Sequence, residues 1–131
     1  CDGSAAVAKG VTIGQQARKT FGLSYVTTLG NDTEGAKHGY KIHIIYGATA
    51  SPSEKAYATI NDSPEAITFS WEFTTTPVEV EGYKPTACVT IDSTKVDAEK
   101  LALLEAKLYG SESEEATLPT PAEVASMFAA G

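Results

Sequence analysis

Cysteine, histidine, methionine and tryptophan are almost missing from this chain, which has two Cys, two His, one Met and one Trp in 131 residues. Two cysteines, Cys1 and Cys88, make neither a disulfide framework nor a zinc cluster. Nothing points to an oxidising compartment, so they are expected to stay unpaired, Cys88 as a small core or edge residue of a strand. His38 and His43 are separated by an odd number, so on one strand they face opposite ways and cannot share a metal. Cationic side chains are scarce too: 10 Lys and Arg stand against 17 Asp and Glu, a net charge of −7. That balance argues against a nucleic-acid-binding groove, which needs clustered cations to displace counterions from phosphates. No run of about 18 apolar residues is present, which excludes a transmembrane helix, and no signal-peptide pattern opens the chain.

Catalytic groupings are missing as well. There is no G-x-S-x-G elbow, and no histidine is placed to serve a serine as base. Asp32 and Glu34 lie in a glycine-bounded loop without the alternating ligands of a calcium site, so a solvated turn is expected. Gly10 and Gly14 are too sparse for a phosphate loop. Glu72 has no partner carboxylate in its strand. Asn31-Asp32-Thr33 and Asn61-Asp62-Ser63 fit the glycosylation pattern but read as turns. No cofactor, no metal and no enzymatic activity are expected.

Alternation is abundant. From Asn61 to Phe73 a polar turn containing Pro64 gives way to Ile67, Phe69, Trp71 and Phe73 on one side of a strand. Thr68, Ser70, Glu72 and Thr74 fall on the other. Two of the four Phe residues and the only Trp thus share a face that is expected to be buried. Phe21, Leu23, Tyr25, Thr27 and Leu29 alternate with Gly22, Ser24, Val26 and Thr28 in a second strand, predicted to be half-buried. After the turn Gly30–Gly35, Tyr40, Ile42, Ile44 and Tyr46 alternate in a third, which makes a hairpin the expected pairing. Ala56 to Ile60 offers a short further strand, and Thr86 to Ile91 another.

Helical signals follow. Asp97 is a plausible N-cap with Val96 and Leu101 as a hydrophobic staple, Leu101, Leu104 and Leu108 form one apolar stripe, and Gly110 supplies the stop. Thr120, Pro121 and Glu123 make a cap, an N1 proline and a capping-box glutamate for a last short helix bearing Val124, Met127 and Phe128. The expected organisation is a single domain over 1–131, with 1–10 a flexible lead-in and 111–131 an acidic linker ending in that helix. The fold class is α+β, mainly β: an antiparallel β-sandwich or partly open barrel with a flanking helix.

The run Asn61 to Val78, then Lys84 to Ala87 and Thr90 to Asp97, with Gly10 to Gln16, Gly30 to Gly35 and Tyr40 to Pro52 upstream, resembles the major tail protein, or tail tube protein, of long-tailed phages and prophages of Gram-positive bacteria. The resemblance covers nearly the whole chain. Family members have a further N-terminal portion, so the sequence corresponds to their C-terminal two-thirds. The resemblance implies a structural virion protein whose hexameric rings stack into a tube. DNA and tape-measure protein pass through the lumen without specific binding, beside other tail proteins and no membrane. The expected location is the virion tail, and the host cytoplasm during assembly. Loop exposure and turn content nominate as subunit contacts Asn31, Asp32, Glu34, Ser51, Pro52, Asn61, Asp62, Pro64, Glu72, Met127 and Phe128. The composition leaves open an alternative, a monomeric immunoglobulin-like β-sandwich module for adhesion or binding.

Overall fold

Strand and helix positions follow from local chemistry in the computed structural model, which describes residues 5–51 and 71–129. The order is β1 (Ala5–Ala8), β2 (Val11–Ile13), β3 (Phe21–Asn31), β4 (Gly35–Ala50), β5 (Phe73–Thr75), β6 (Cys88–Asp92), α1 (Ala98–Tyr109) and α2 (Pro121–Ala129). The α+β, mainly β class is borne out: antiparallel sheets, not closed into a barrel, accompanied by two helices. The chain separates into two compact units, Cys1–Phe21 with Ala48–Thr74 and Gly22–Gly47 with Thr75–Gly131.

The second unit holds the main core. β3 and β6 flank β4, whose length carries alternating burial from Ile42 onward. β4 and β6 run antiparallel, with Ile42 opposite Ile91 and Ile44 opposite Val89. The inward residues Ile42, Ile44, Tyr46 and Ile91 cluster with Leu101, Leu104 and Leu108 of α1 and Val124 of α2. Each of these side chains contributes about 1.5–3 kcal/mol by leaving water. Tyr46 brings a hydroxyl into this core and satisfies it by donating to the Pro119 carbonyl at 2.6 Å. That bond ties the approach to α2 onto the sheet.

Both helices begin as their sequences dictate. The Asp97 carboxylate accepts from the N–H groups of Glu99 at 3.0 Å and Lys100 at 3.1 Å, and Gly110 closes α1 at φ 71°. Thr120 and Glu123 form the reciprocal capping box: Thr120 N–H donates to Glu123 Oε2 at 2.8 Å, and Glu123 N–H to Thr120 Oγ1 at 3.3 Å. Met127 and Phe128 are half-buried against the core, so the apolar end of α2 docks on its own unit.

The first unit contains the β1–β2 hairpin, Ala5 opposite Ile13 and Ala6 opposite Thr12, with a bulge between Ala6 and Ala8. Residues 5–8 were expected inside a flexible lead-in. They form a strand instead, because Gly10 at φ 80° reverses the chain and returns β2 alongside. In the same unit Ser51 N–H donates to the Glu72 carbonyl at 2.8 Å, the Arg18 guanidinium donates to the Ala50 carbonyl, and Phe73 meets Phe21 edge to face at 5.5 Å.

Two expectations about buried faces are corrected. Trp71 and Phe73 are 47% and 45% exposed, so this end of the aromatic run is no core. The run is not strand throughout: Trp71 and Glu72 lie outside β5, which covers only Phe73–Thr75. Ile67, Phe69 and the strand expected at 56–60 fall outside the described residues. β3, predicted to be half-buried, is exposed over most of its length: Phe21, Leu23, Ser24 and Leu29 are partly buried, Tyr25 and Val26 are 47% and 45% exposed, and Gly22 lies close to Leu118 between the helices.

Candidate functional site

The uncovered face of the sheet where β3, β4 and β6 pair, three of its four strands, is built by alternation. Tyr25 and Thr27 on β3 stand beside His43 on β4, and His43 stands opposite Thr90 on β6. The His43 ring stacks on Tyr25 with centroids 4.7 Å apart and planes 16° from parallel. Its Nε2 lies 2.9 Å from Thr27 Oγ1 and its Nδ1 3.2 Å from Thr90 Oγ1. A neutral imidazole has one donor and one acceptor nitrogen, and a hydroxyl can serve either, so both contacts hold in either tautomer. Cys88 Sγ lies 3.9 Å from Thr90 Oγ1, exposed and free as a thiol.

A histidine between two hydroxyls has the outline of a base and a nucleophile. A working pair needs a third group to orient the imidazole and a pocket to hold the substrate. Both ring nitrogens here are occupied by threonines, and the site is an open sheet face. The arrangement is a cross-strand clasp joining β3, β4 and β6, with Leu23 and Ile45 beside it in the alternation. Among the described residues, no three His, Cys, Asp or Glu side chains gather as a metal site would require.

The β3–β4 turn is held by its own polar network. Asn31 Oδ1 accepts from Thr33 N–H at 3.1 Å and Glu34 N–H at 2.5 Å, while Asn31 Nδ2 donates to Glu34 Oε2 at 3.3 Å. His38 Nδ1 reaches the same oxygen at 2.6 Å. Gly35 takes φ 60° to let the chain turn back. The hydrogen bond from His38, then that from Asn31, holds the Glu34 carboxyl below its ordinary value of 4.5. Asp32 projects at the tip without joining the network. Three of the nominated contact residues thus share one stiff, exposed tip.

The others are dispersed. Ser51 and Glu72 meet through backbone atoms alone, with the Glu72 side chain exposed. Met127 and Phe128 are on α2, and Pro52, Asn61, Asp62 and Pro64 lie outside the described residues. Sequence reasoning missed the His43 clasp; the signal available was that His43, Thr27 and Thr90 all occupy polar slots of alternating strands.

Ionisation sets a testable pH window. Hydrogen bonds from Thr94 hold Asp92 below 3.8, and hydrogen bonds from Thr120 hold Glu123 below 4.5, in the same direction as Glu34. A carboxylate with a depressed folded pKa stabilises above its unfolded pKa and loses that contribution as pH falls through the folded value. Tyr40 and Tyr46 shift the other way, each to about 12, Tyr40 chiefly through its hydrogen bond to Glu105 and Tyr46 chiefly through burial. A phenol with a raised folded pKa stabilises fully below its unfolded value of 10.0 and loses that contribution as pH climbs toward 12. Thermal midpoints should therefore decline on both flanks, below about pH 4.5 and above about pH 10. A midpoint still rising at pH 11 would contradict the tyrosine assignments.

No protein-family model, no curated protein and no solved structure matches this chain.

Proposed function

We propose that the chain is a structural subunit of a phage tail tube, assembling as stacked hexameric rings around a lumen for DNA and tape-measure protein and performing no chemistry. The observation that carries this is uncovered apolar surface on open sheets. On the sheet face that no helix covers Tyr25 is 47% exposed, with Leu23 and Ile45 partly buried beside it, and in the other unit Trp71 and Phe73 stand about half-exposed. Exposed large aromatic side chains are the residue types that interfaces gather. Among the described residues β3 and β6 each pair only with β4, so the sheet ends in open strand edges. Such edges invite pairing with another chain, and a closed ring abolishes them. The negative charge suits a conduit, which must not hold its cargo. The motif resemblance to tail tube proteins supplies the particular assembly and its place in the virion tail.

Negative-stain electron microscopy across a concentration series, with light scattering for mass, tests the proposal. Rings or hollow tubes are the expected result; a 13.7 kDa species at every concentration would count against it. Trp71 gives a finer measurement. A buried tryptophan costs about 3–5 kcal/mol on truncation to alanine, so half-exposure lowers the expected monomer cost of Trp71→Ala to about 1–2 kcal/mol. Assembly should suffer more than stability. Intact assembly by that variant would remove Trp71 from the contact surface.

A further inference from the structure

An apolar cleft of about 710 Å³ runs along β6, walled by Val80, Val89, Ile91, Val124, Ala125 and Phe128. We propose that it receives the β1–β2 hairpin of a second copy of this chain. The inference rests on the tube reading above for the purpose of the contact, and on three other observations for its location.

The first is the state of the hairpin. Every residue of β1 and β2 is exposed, and Val7, Val11 and Ile13 are 62%, 54% and 50% accessible. A two-stranded ribbon is marginal alone in water and requires a third strand or an apolar surface. Val11 and Ile13, two residues apart, project from one side of β2 and are spaced by about 7 Å. They supply paired apolar side chains to a groove.

The second is the edge that borders the cleft. Tyr46 N–H donates to Ala87 O and Ser93 N–H to Tyr40 O, so the hydrogen-bonded pairs between them are Ile42 with Ile91 and Ile44 with Val89. The N–H and C=O of Thr90 consequently point away from β4, and neither has a partner among the described residues. Thr86 Oγ1 already satisfies the N–H and C=O of Cys88. Thr90 therefore offers one open donor and acceptor to an arriving strand, beside a groove for its side chains.

The third is charge. The hairpin, residues 5–13, carries one charged side chain, Lys9, and no Asp or Glu. Asp92 and Lys84 line the cleft, and Glu79, Glu81, Asp97 and Glu123 adjoin lining residues in sequence against a single lysine, Lys95. A hairpin bearing one positive charge and a cleft with a negative surround on the same chain attract between copies. The contact joins two different surfaces, so it is heterologous and propagates from copy to copy.

The test uses two variants at exposed positions, Ile13→Glu on the hairpin and Ala125→Glu in the cleft, studied by analytical ultracentrifugation of the full chain with circular dichroism as a folding control. Each alone should associate at least tenfold more weakly than the parent. Mixed one to one they should form a heterodimer, because one supplies an intact cleft and the other an intact hairpin. Thr90→Pro removes the N–H that points away from β4 together with the hydroxyl that bonds His43, so it is read against Thr90→Val, which loses the hydroxyl alone; the proline variant should associate about tenfold more weakly than the valine control. A mixture that remains monomeric, or single variants that associate like the parent, would overturn the proposal. Tubes formed undiminished by all three variants would overturn it while leaving the tube reading intact. A heterodimer from the mixture, with no rings or tubes from the parent, would uphold the contact and remove the tube.

Discussion

Leu104→Ala should destabilise the protein by about 3–5 kcal/mol, near the top of the range for a buried leucine. Leu104 is 0% exposed and lies on the inward stripe of α1 among Ile42, Ile44, Tyr46 and Ile91 of the sheet. Truncation removes apolar area and leaves a void, and two flanking helices and a sheet cannot all collapse into it. Alanine has the better helix propensity, so the loss belongs to packing alone. In urea, a loss of this size lowers the unfolding midpoint by about 1–3 M at a typical slope. Leu103 is the control: it is the neighbouring residue on the same helix, 63% exposed, and Leu103→Ala should change stability by less than about 0.5 kcal/mol. Equal losses at the two positions would show that the apolar stripe of α1 does not face the sheet.

That contrast was legible in the sequence because helix signals are local. Asp97, the 101–104–108 spacing and Gly110 each act within a turn or two of chain, and each is found in its predicted role. The buried side of β4 was legible for a similar reason, since Tyr40, Ile42, Ile44 and Tyr46 leave little choice. β3 shows the limit. Alternation tells which residues share a face, and the covered face depends on what packs there from elsewhere. Gly22 held the missing information, because a glycine inside a strand marks close approach by other chain, here Leu118. Trp71 misled because a periodic run was taken as unbroken strand. The cleft along β6 could not be read at all. Its walls come from β6, the turn before it and α2, and only the fold gathers them.

Gly47→Ala should cost about 2–4 kcal/mol, large for a single added methyl group. Two separate effects combine. Gly47 sits within β4 at φ 60°, a left-handed conformation that costs a residue with a Cβ about 1–2 kcal/mol. A Cβ at that position would also run into the Thr76 carbonyl oxygen. That neighbour is backbone, and it is fixed in place because Thr76 N–H donates to the Gly47 carbonyl at 3.0 Å. Relief requires the two strands to part and the bond to lengthen, which adds about 1–2 kcal/mol. Gly82 provides the comparison, with φ 79° and open space where a Cβ would stand. Gly82→Ala should therefore show the conformational cost without the steric one, roughly 1–2 kcal/mol. Chemical denaturation of the two variants separates the contributions. If Gly82→Ala proves as damaging as Gly47→Ala, contact with Thr76 contributes nothing, and the close approach of the 75–76 backbone to β4 is not a constraint on the fold. If Gly47→Ala is clearly the worse, the glycine is what lets β4 continue past Tyr46 while holding a second strand against its edge.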